Sequence, residues 1–346
     1  MYDDQELFSL PVYGLNRAEK DRLYSRFLSA LSAYHYDRCE SYHRIADAIG
    51  IDAPLPARIF KSYDLLSVDQ KEIIKTIASS GTSGKPSKVF LDRPTAARQT
   101  KALSKIVCDF IGKNRSPMLV IDSPSILSNR AAFSARGAGV LGFSMFGRDI
   151  TYALDPDMKL DIEAIEAFLS RHKDEKILLF GFTYIIWIHL CEALRNTNKK
   201  LNIDGVLIHG GGWKKLVDQN IDNDRFKNEI KELINVDRVY SYYGMAEQTG
   251  SIFMECEYSR LHCSIFSDVT IRDPLNLEPI ESGRGLIECD SLLPTSYPAH
   301  RLLTEDEGEI LGIDDCPCGR LGKYFAVFGR VKGAEIRGCG NTYERG

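Results

Sequence analysis

Residues 80–85 form the stretch of this sequence whose residue types most directly suggest chemistry. Hydroxyl side chains, glycines and a lysine follow one another there, namely Ser80, Gly81, Thr82, Ser83, Gly84 and Lys85. Glycines allow a turn in which successive backbone N–H groups point into one concavity, and the hydroxyls and the ammonium add donors for a polyphosphate. The spacing differs from that of a Walker A loop. These residues leave two alternatives open, a phosphate-binding loop and an ordinary polar hairpin loop.

Further along the chain, four positions offer groups that suit a nucleotide. The ring of Tyr243, followed by Gly244 at the end of a predicted strand, can stack on a flat base, and the Glu247 carboxylate can hold Mg²⁺ on phosphate oxygens. Asp306 can accept hydrogen bonds from ribose hydroxyls, and Arg330 offers a guanidinium for phosphate or carboxylate. Each position alone is also typical of a strand end or a surface charge, so the ordered set carries the prediction.

A predicted strand at 206–208 runs directly into three glycines, Gly210, Gly211 and Gly212. Glycines after a strand permit close approach of a ligand to the carboxyl edge of a sheet, although a glycine-rich turn into a helix explains them equally well. Upstream, an apolar and aromatic group could line an acyl pocket or belong to the core; it comprises Phe182, Tyr184, Ile185, Ile186 and Trp187.

Four cysteine and histidine side chains have the chemistry of a metal site. Cys316 and Cys318 share a Gly/Pro-rich turn, and Cys256 precedes His262 on another segment. Two thiolates on one loop with a thiolate and an imidazole elsewhere suit tetrahedral Zn²⁺, and a closed four-ligand site would be structural. Cys263 is an alternative ligand, and four unrelated side chains are the simpler explanation, since C-x-C is a looser signal than paired C-x-x-C.

The elements that must position these residues change character along the chain. Residues 1–75 are predicted to form a helical cap, with a capping box at Asn16 and Glu19. Strands and helices alternate over 76–237, as in an α/β nucleotide-binding part, with buried strands at 118–121 and 176–180. Short strands follow in a β-rich part over 238–346, which contains the predicted zinc site and the C-terminal tail.

Composition excludes several classes of protein. The 346 residues carry a net charge of −4, which gives no reason to expect a nucleic acid partner. No apolar run approaches the roughly 20 residues needed to span a bilayer, and the acidic N-terminus does not resemble a signal peptide. Nine cysteines, an odd number, argue against a disulfide framework. We therefore expect a cytoplasmic protein without membrane insertion.

The ordered motifs resemble those of the adenylate-forming superfamily, and in particular its branch of phenylacetate-CoA ligases and LuxE-type acyl-protein synthetases. The motifs that carry this resemblance are Ser79–Lys88, Tyr242–Glu247, Thr304–Asp306 and Gly329-Arg330. Three further segments are similar in sequence to the LuxE branch: residues 243–256, Cys316-Pro317-Cys318-Gly319-Arg320 and residues 329–339. The resemblance covers the chain from about residue 76 to its end.

This resemblance implies an α/β large domain with a helical leader and a β-rich part. Lys85 and its loop would hold the β- and γ-phosphates of ATP, Tyr243-Gly244 with Gly210–Gly212 would hold the adenine, and Glu247 would hold Mg²⁺. Asp306 would bind the ribose, and Arg330 the ribose or α-phosphate region. A carboxylate would attack the α-phosphorus and give acyl-AMP and pyrophosphate. Positioning and charge neutralisation would supply most of the catalysis.

Two departures from the superfamily pattern refine the expectation. Ala246 stands where a threonine is usual, so a phosphate-binding hydroxyl would have to come from elsewhere, for which Thr249 is a candidate. Only 16 residues (346 − 330) follow Arg330, so the mobile C-terminal domain of the superfamily is expected to be lacking. In the LuxE pattern the acyl group passes instead to a cysteine near the C-terminus, which here would be Cys339.

The predicted function is an ATP-dependent acyl-protein synthetase for a fatty acid, with Lys85, Glu247, Arg330 and Cys339 as catalytic residues and a fatty-acid reductase as partner. A phenylacetate-type acid–CoA ligase and a non-catalytic nucleotide-binding scaffold are the alternatives. Substrate chain length, the pathway and the oligomeric state, including a homo-oligomer, stay open.

Overall fold

The computed structural model describes residues 4–78, 86–127, 135–212 and 221–331. These residues group into two compact units, which are described separately below. The first unit is discontinuous in sequence and combines residues 4–110 with residues 243–331, and the second comprises residues 111–242. The boundaries predicted at residues 75 and 237 stay a prediction. The sequence did not indicate that the N-terminal helices belong with the β-rich part.

The helices are α1 (Asp4–Ser9), α2 (Arg17–Arg38), α3 (Glu40–Ile49), α4 (Arg93–Ile111), α5 (Ala135–Phe143), α6 (Ile162–Arg171), α7 (Thr183–Ile185), α8 (Glu192–Asn196) and α9 (Asn223–Ile234). The strands before residue 243 are β1 (Leu55–Pro56), β2 (Ile73–Ala78), β3 (Lys88–Asp92), β4 (Ser116–Ile121), β5 (Gly147–Tyr152), β6 (Ile177–Phe182), β7 (Gly205–Gly210) and β8 (Arg238–Tyr243). The later strands are β9 (Phe253–Glu255), β10 (Leu261–His262), β11 (Ser267–Arg272), β12 (Pro279–Ile280), β13 (Gly285–Ser291), β14 (Arg301–Ile313) and β15 (Lys323–Arg330).

The second unit is built on a parallel sheet with strand order β5-β4-β6-β7-β8. All six residues of β6 are buried, which explains its continuous apolar sequence, since both faces of such a sheet are covered. Between α7 and α8 lies a π-helical turn, Ile186–Cys191. Trp187 on this turn is buried and packs on Phe226 of α9, with ring centroids 6.3 Å apart. Helices and sheet therefore share one core.

The first unit contains a mostly antiparallel sheet with strand order β12-β11-β13-β14-β15-β10-β9. β14 is the longest strand of the described residues, and β1 from the N-terminal segment pairs with it in parallel, with Leu55 opposite Leu302. β2 and β3 form a separate antiparallel hairpin. The sequence analysis predicted short strands in this part of the chain but did not predict β10, β12 or β14.

The N-terminal helices bury an apolar stripe within the first unit. α2 begins with the predicted capping box. The backbone N–H of Glu19 donates to the Asn16 side chain, and the backbone N–H of Asn16 donates to the Glu19 carboxylate. Its buried face carries Leu23, Phe27 and Leu31, spaced by four residues, as expected for one face of a helix. The sequence-predicted helical leader is confirmed. Among the described residues, no helix is both long and apolar enough to cross a membrane.

Candidate functional site

Tyr243 ends β8, and the structure brings it to Asp306 of β14. The Tyr243 hydroxyl donates a hydrogen bond of 2.8 Å to Asp306 Oδ2. The ring packs near the Phe253 and Phe325 rings, at centroid distances of 6.0 and 6.2 Å. Burial, reinforced by the Asp306 carboxylate, raises the pKa of Tyr243 well above its usual range, so the hydroxyl stays protonated and acts as a donor. A direct hydrogen bond therefore joins Tyr243, which was predicted to stack on the base, to Asp306, which was predicted to bind the ribose.

Arg330 lies opposite Asp306 because β14 and β15 pair in a register that aligns these two residues. Its Nε lies 3.4 Å from Asp306 Oδ1, and its Nη1 donates a 3.1 Å hydrogen bond to Glu305 Oε2. All three side chains are between 14% and 19% exposed, so their charges are only partly screened by water. Tyr243, Asp306 and Arg330 thus form one contiguous polar cluster, to which the structure adds Glu305.

Glu247 lies in a single 3₁₀ turn, Ala246–Gln248, and its side chain is 4% exposed. The next residue, Gln248, fixes this turn, because its amide nitrogen donates hydrogen bonds to the carbonyls of Cys289 and Ala299, at 2.9 and 2.8 Å. The Thr249 hydroxyl donates to the Ala246 carbonyl at 2.9 Å, so in this conformation it caps the turn. Sequence reasoning missed Gln248, since its partners lie more than 40 residues away on other segments.

Gly250 follows this turn, and its conformation and surroundings explain why the residue is a glycine. Its φ of +85° is a conformation that side chains disfavour, and a Cβ atom would lie 2.6 Å from the carbonyl oxygen of Gln99. The close approach of α4 to the turn therefore requires the absence of a side chain.

The glycines Gly210, Gly211 and Gly212 lie in the second unit, at the carboxyl end of β7. A Cβ atom on Gly210 would lie 2.3 Å from a ring carbon of Tyr242, and Gly211 has a φ of +90°. The absence of a side chain at Gly210 accordingly lets the Tyr242 ring pack against the end of the strand. Their predicted contact with adenine stays a prediction.

Several predicted site residues lie outside the described residues. They are Ser80, Gly81, Thr82, Ser83, Gly84, Lys85 and Cys339. The flanking strands of the loop, β2 and β3, are described and pair with each other, with Ala78 opposite Lys88. The candidate acyl-pocket residues are described, and Ile186 and Trp187 belong to the core of the second unit.

The four predicted metal ligands come together in the first unit. The ligand atoms of Cys256, His262, Cys316 and Cys318 all lie within 4.8 Å of one another. β10 carries His262 and pairs with both β9 and β15, which brings the segment after β9 beside the turn between β14 and β15. Cys263, the alternative ligand, is not part of this group; it is buried, and its N–H donates to the Lys323 carbonyl.

The spacing of these donor atoms fits a tetrahedral ion. The sulfurs of Cys256 and Cys316 are 3.9 Å apart, and Cys318 Sγ lies 3.4 Å from His262 Nε2. Zn–S bonds of about 2.3 Å at a tetrahedral angle place two sulfurs about 3.8 Å apart, and a shorter Zn–N bond brings nitrogen and sulfur slightly closer. The donor set and its spacing therefore fit a tetrahedral Cys₃His metal site.

The surroundings of the cluster keep His262 in its ligand form and hold the Cys256 thiol protonated until a cation binds. Burial lowers the pKa of His262 to about 4, aided by Arg320 and Arg260, so the imidazole is neutral at neutral pH. Burial raises the pKa of Cys256 to about 12, so this thiol would release its proton on binding a cation. Its sulfur accepts a hydrogen bond from the backbone N–H of Tyr258 at 3.4 Å. Neutral imidazole and deprotonated thiols are what Zn²⁺ requires.

Comparison with known proteins gives concordant results. The family model described as "Acyl-protein synthetase, LuxE" matches residues 2–345. A long-chain-fatty-acid–luciferin-component ligase of Vibrio harveyi is 26% identical over 342 residues, which span 93% of this chain and 87% of that protein. A phenylacetate-coenzyme A ligase of Thermus thermophilus is 24% identical over 339 residues, which span 91% of this chain and 70% of that protein.

A solved structure shares the fold. An open conformation of 2-hydroxyisobutyryl-CoA ligase, in complex with 2-HIB-AMP and CoA, superposes with a TM-score of 0.70 at 18% identity, covering 97% of this chain and 81% of the other. At this identity the similarity concerns the fold alone. It confirms the sequence-based prediction of an α/β adenylate-forming architecture.

Proposed function

Because this chain belongs to the LuxE family of acyl-protein synthetases, and is thereby an acid–thiol ligase, we propose that it activates a long-chain fatty acid with ATP and transfers the acyl group to its own Cys339. The observation that carries the nucleotide part is the contiguous cluster of Tyr243, Asp306 and Arg330. The Asp306 carboxylate lies within hydrogen-bond reach of both the Tyr243 hydroxyl and the Arg330 guanidinium, which suits an adenosine with a phosphate attached.

In the proposed first step, an oxygen of the fatty-acid carboxylate attacks the α-phosphorus of ATP. A new P–O bond forms, the bond to the β-phosphate oxygen breaks, and pyrophosphate leaves. The carboxylate is already ionised at neutral pH, so no general base is needed. Asp306 would accept the ribose hydroxyls and Arg330 would face the developing charge at the α-phosphate, while Lys85 and residues 80–84 would bind the leaving phosphates.

Glu247 would hold Mg²⁺ on the phosphate oxygens, where the ion supplies neutralisation of charge. Its place in a turn anchored by Gln248 supports this role, because a carboxylate held on a fixed turn loses little freedom when it binds an ion. Gly210–Gly212 would border the adenine.

In the proposed second step, the Cys339 thiolate attacks the carbonyl carbon of acyl-AMP. The C–S bond forms, the C–O bond to phosphate breaks, and AMP leaves with the electron pair. The neighbouring glycines, Gly338 and Gly340, and Arg337 suit an accessible thiolate. The thioester would then be the form in which the acyl group is delivered to a reductase partner.

For the Cys256, His262, Cys316 and Cys318 cluster we propose a resident Zn²⁺ with a structural role. The four side chains would fill all four positions of a tetrahedral ion and would leave none for water or substrate. The ion would join the turns at residues 256–262 and 316–318 within the first unit.

A second candidate function is an acid–CoA ligase, favoured by the match to a phenylacetate-coenzyme A ligase over 91% of the chain. The two candidates differ in the thiol that receives the acyl group. In the first it belongs to the protein, and in the second it belongs to coenzyme A.

Intact mass spectrometry tests the proposal. The protein is incubated with ATP, Mg²⁺ and myristate, and wild type is compared with Cys339→Ser and with Cys108→Ser, a half-buried cysteine of α4 that serves as the matched control. We expect an acyl adduct, labile to hydroxylamine, on wild type and on Cys108→Ser but absent from Cys339→Ser.

The contrary outcomes separate the alternatives. An adduct that persists on Cys339→Ser moves the acceptor to another cysteine and leaves the activation step intact. Pyrophosphate release without any adduct, together with acyl-CoA when coenzyme A is supplied, refutes self-acylation and supports the acid–CoA ligase. No acid-dependent pyrophosphate release at all refutes both.

A further inference from the structure

We propose that Glu305 is a positioning residue for the nucleotide, which holds Arg330 in place so that Asp306 keeps oxygen lone pairs available for the ribose. This inference rests on the proposed function, since it assigns a role within the proposed ATP site. Glu305 lies within the Thr304–Asp306 motif, but the sequence assigns it no role, because it looks like an ordinary surface carboxylate beside the proposed ribose-binding aspartate.

Glu305 binds two guanidinium groups, one with each carboxylate oxygen. Oε2 accepts the 3.1 Å hydrogen bond from Arg330 Nη1, and Oε1 lies 2.6 Å from Arg58 Nη2. Its side chain is 14% exposed, whereas Arg58 is 67% exposed. Charge-assisted hydrogen bonds in a partly buried setting are stronger than those between exposed groups, so the contact with Arg330 is the more important of the two.

The position of Arg58 follows from strand pairing. β1 lies parallel to β14 with Leu55 opposite Leu302 and Pro56 opposite Leu303. Arg58 lies two residues beyond the end of β1, in the 3₁₀ turn Ala57–Lys61, and from there its guanidinium reaches Glu305. The N-terminal segment thereby supplies a cation that orients the Glu305 carboxylate.

Asp306 already uses part of its hydrogen-bonding capacity within the protein. Oδ2 accepts the Tyr243 hydroxyl, and Oδ1 faces Arg330 Nε at 3.4 Å. An ionised carboxylate offers about four lone-pair positions, so room for ribose hydroxyls remains. A guanidinium tends to bind a carboxylate with two parallel N–H groups. Without Glu305, Arg330 would turn fully onto Asp306 and occupy the positions that the ribose needs.

This arrangement predicts a selective defect. Glu305→Gln keeps the size of the side chain but removes the charge that holds Arg330. We expect the Kd and the KM for ATP to rise about tenfold, as for loss of one charge-assisted hydrogen bond. The KM for the fatty acid should be unchanged, because only a general structural defect would raise both KM values.

The experiment measures ATP binding by isothermal titration calorimetry and the KM values by pyrophosphate release, with thermal melting as a check on folding. Glu309→Gln, on the same strand, is the matched control, since among the described residues Glu309 forms no ion pair. Arg58→Met removes the outer partner at an exposed position, and we expect a two- to threefold weaker ATP affinity.

The outcomes distinguish this inference from the proposed function. Wild-type protein that binds no ATP refutes the proposed function. Wild type that binds ATP, with Glu305→Gln binding it equally well, refutes the positioning role alone. If Glu305→Gln does not fold, unchanged ATP affinity in Arg58→Met refutes the positioning role instead.

Discussion

Stability at mildly acidic pH should depend on a buried histidine of the first unit. His35 of α2 lies fully buried, with Nδ1 2.7 Å from the Ser67 hydroxyl and Nε2 3.3 Å from the Pro294 carbonyl oxygen. Its ring stacks on that of His300, with centroids 5.1 Å apart. Burial lowers the pKa of His35 to about 3, and the nearby Arg38 adds to this effect. The ring is therefore neutral in the folded protein.

The sign and size of the effect follow from the two pKa values. In the unfolded chain His35 has a pKa of about 6.5, so below that pH the unfolded state binds a proton that the folded state does not. Stability is therefore present above pH 6.5 and is lost as the pH falls toward 3. Between pH 7 and pH 5 this one group lowers the free energy of unfolding by about 1.9 kcal/mol.

Urea unfolding at pH 7 and pH 5 measures this contribution. His35→Gln retains a side chain that can hydrogen-bond but cannot titrate, so its free energy of unfolding should fall by about 1.9 kcal/mol less than that of wild type over this interval. His43→Gln, at a half-exposed position of α3, is the control and should behave as wild type. Equal losses in wild type and His35→Gln would refute the reasoning, because they would mean that His35 is not held neutral.

Three further changes probe the site and its surroundings. Cys256→Ser should abolish the proposed zinc binding and lower the melting temperature, measured by elemental analysis and thermal melting; a wild-type protein without stoichiometric zinc would contradict this. Gly250→Ala should cost about 1–3 kcal/mol in urea unfolding, because of its φ of +85° and the Gln99 carbonyl at 2.6 Å; unchanged stability would show that α4 can move aside. Tyr243→Phe removes a donor from Asp306 and should raise the KM for ATP about three- to tenfold without changing the KM for fatty acid, and an equal rise in both would count against a nucleotide role.

Local signals predicted the elements that depend on nearby residues. The capping box at Asn16 and the apolar run at 118–121 each carry their structural reason within a few residues, and both are found in the structure. β14 escaped prediction because its centre, residues 304–309, contains four carboxylates and a glycine. It is a strand because β13 and β15 pair with it on both sides, which no local pattern encodes.

The same distinction applies to the candidate site. The metal cluster could be predicted because cysteine and histidine carry their chemistry in the residue type, even when 56 residues separate His262 from Cys318. Gln248 and Glu305 could not, since each acts through partners that only the folded chain brings near: backbone carbonyls for the first, and Arg58 and Arg330 for the second.

The pairing of β1 with β14 has a consequence for synthesis on the ribosome. Residues 111–242 are contiguous, so that unit can form as soon as it emerges, whereas the first unit needs strands up to Arg330. Eighty-eight residues (330 − 242) separate the two events, roughly 4–18 s at 5–20 residues per second. During that interval the apolar face of the N-terminal helices stays exposed to solvent. Chaperone binding to a nascent chain should therefore concentrate on α2 and α3.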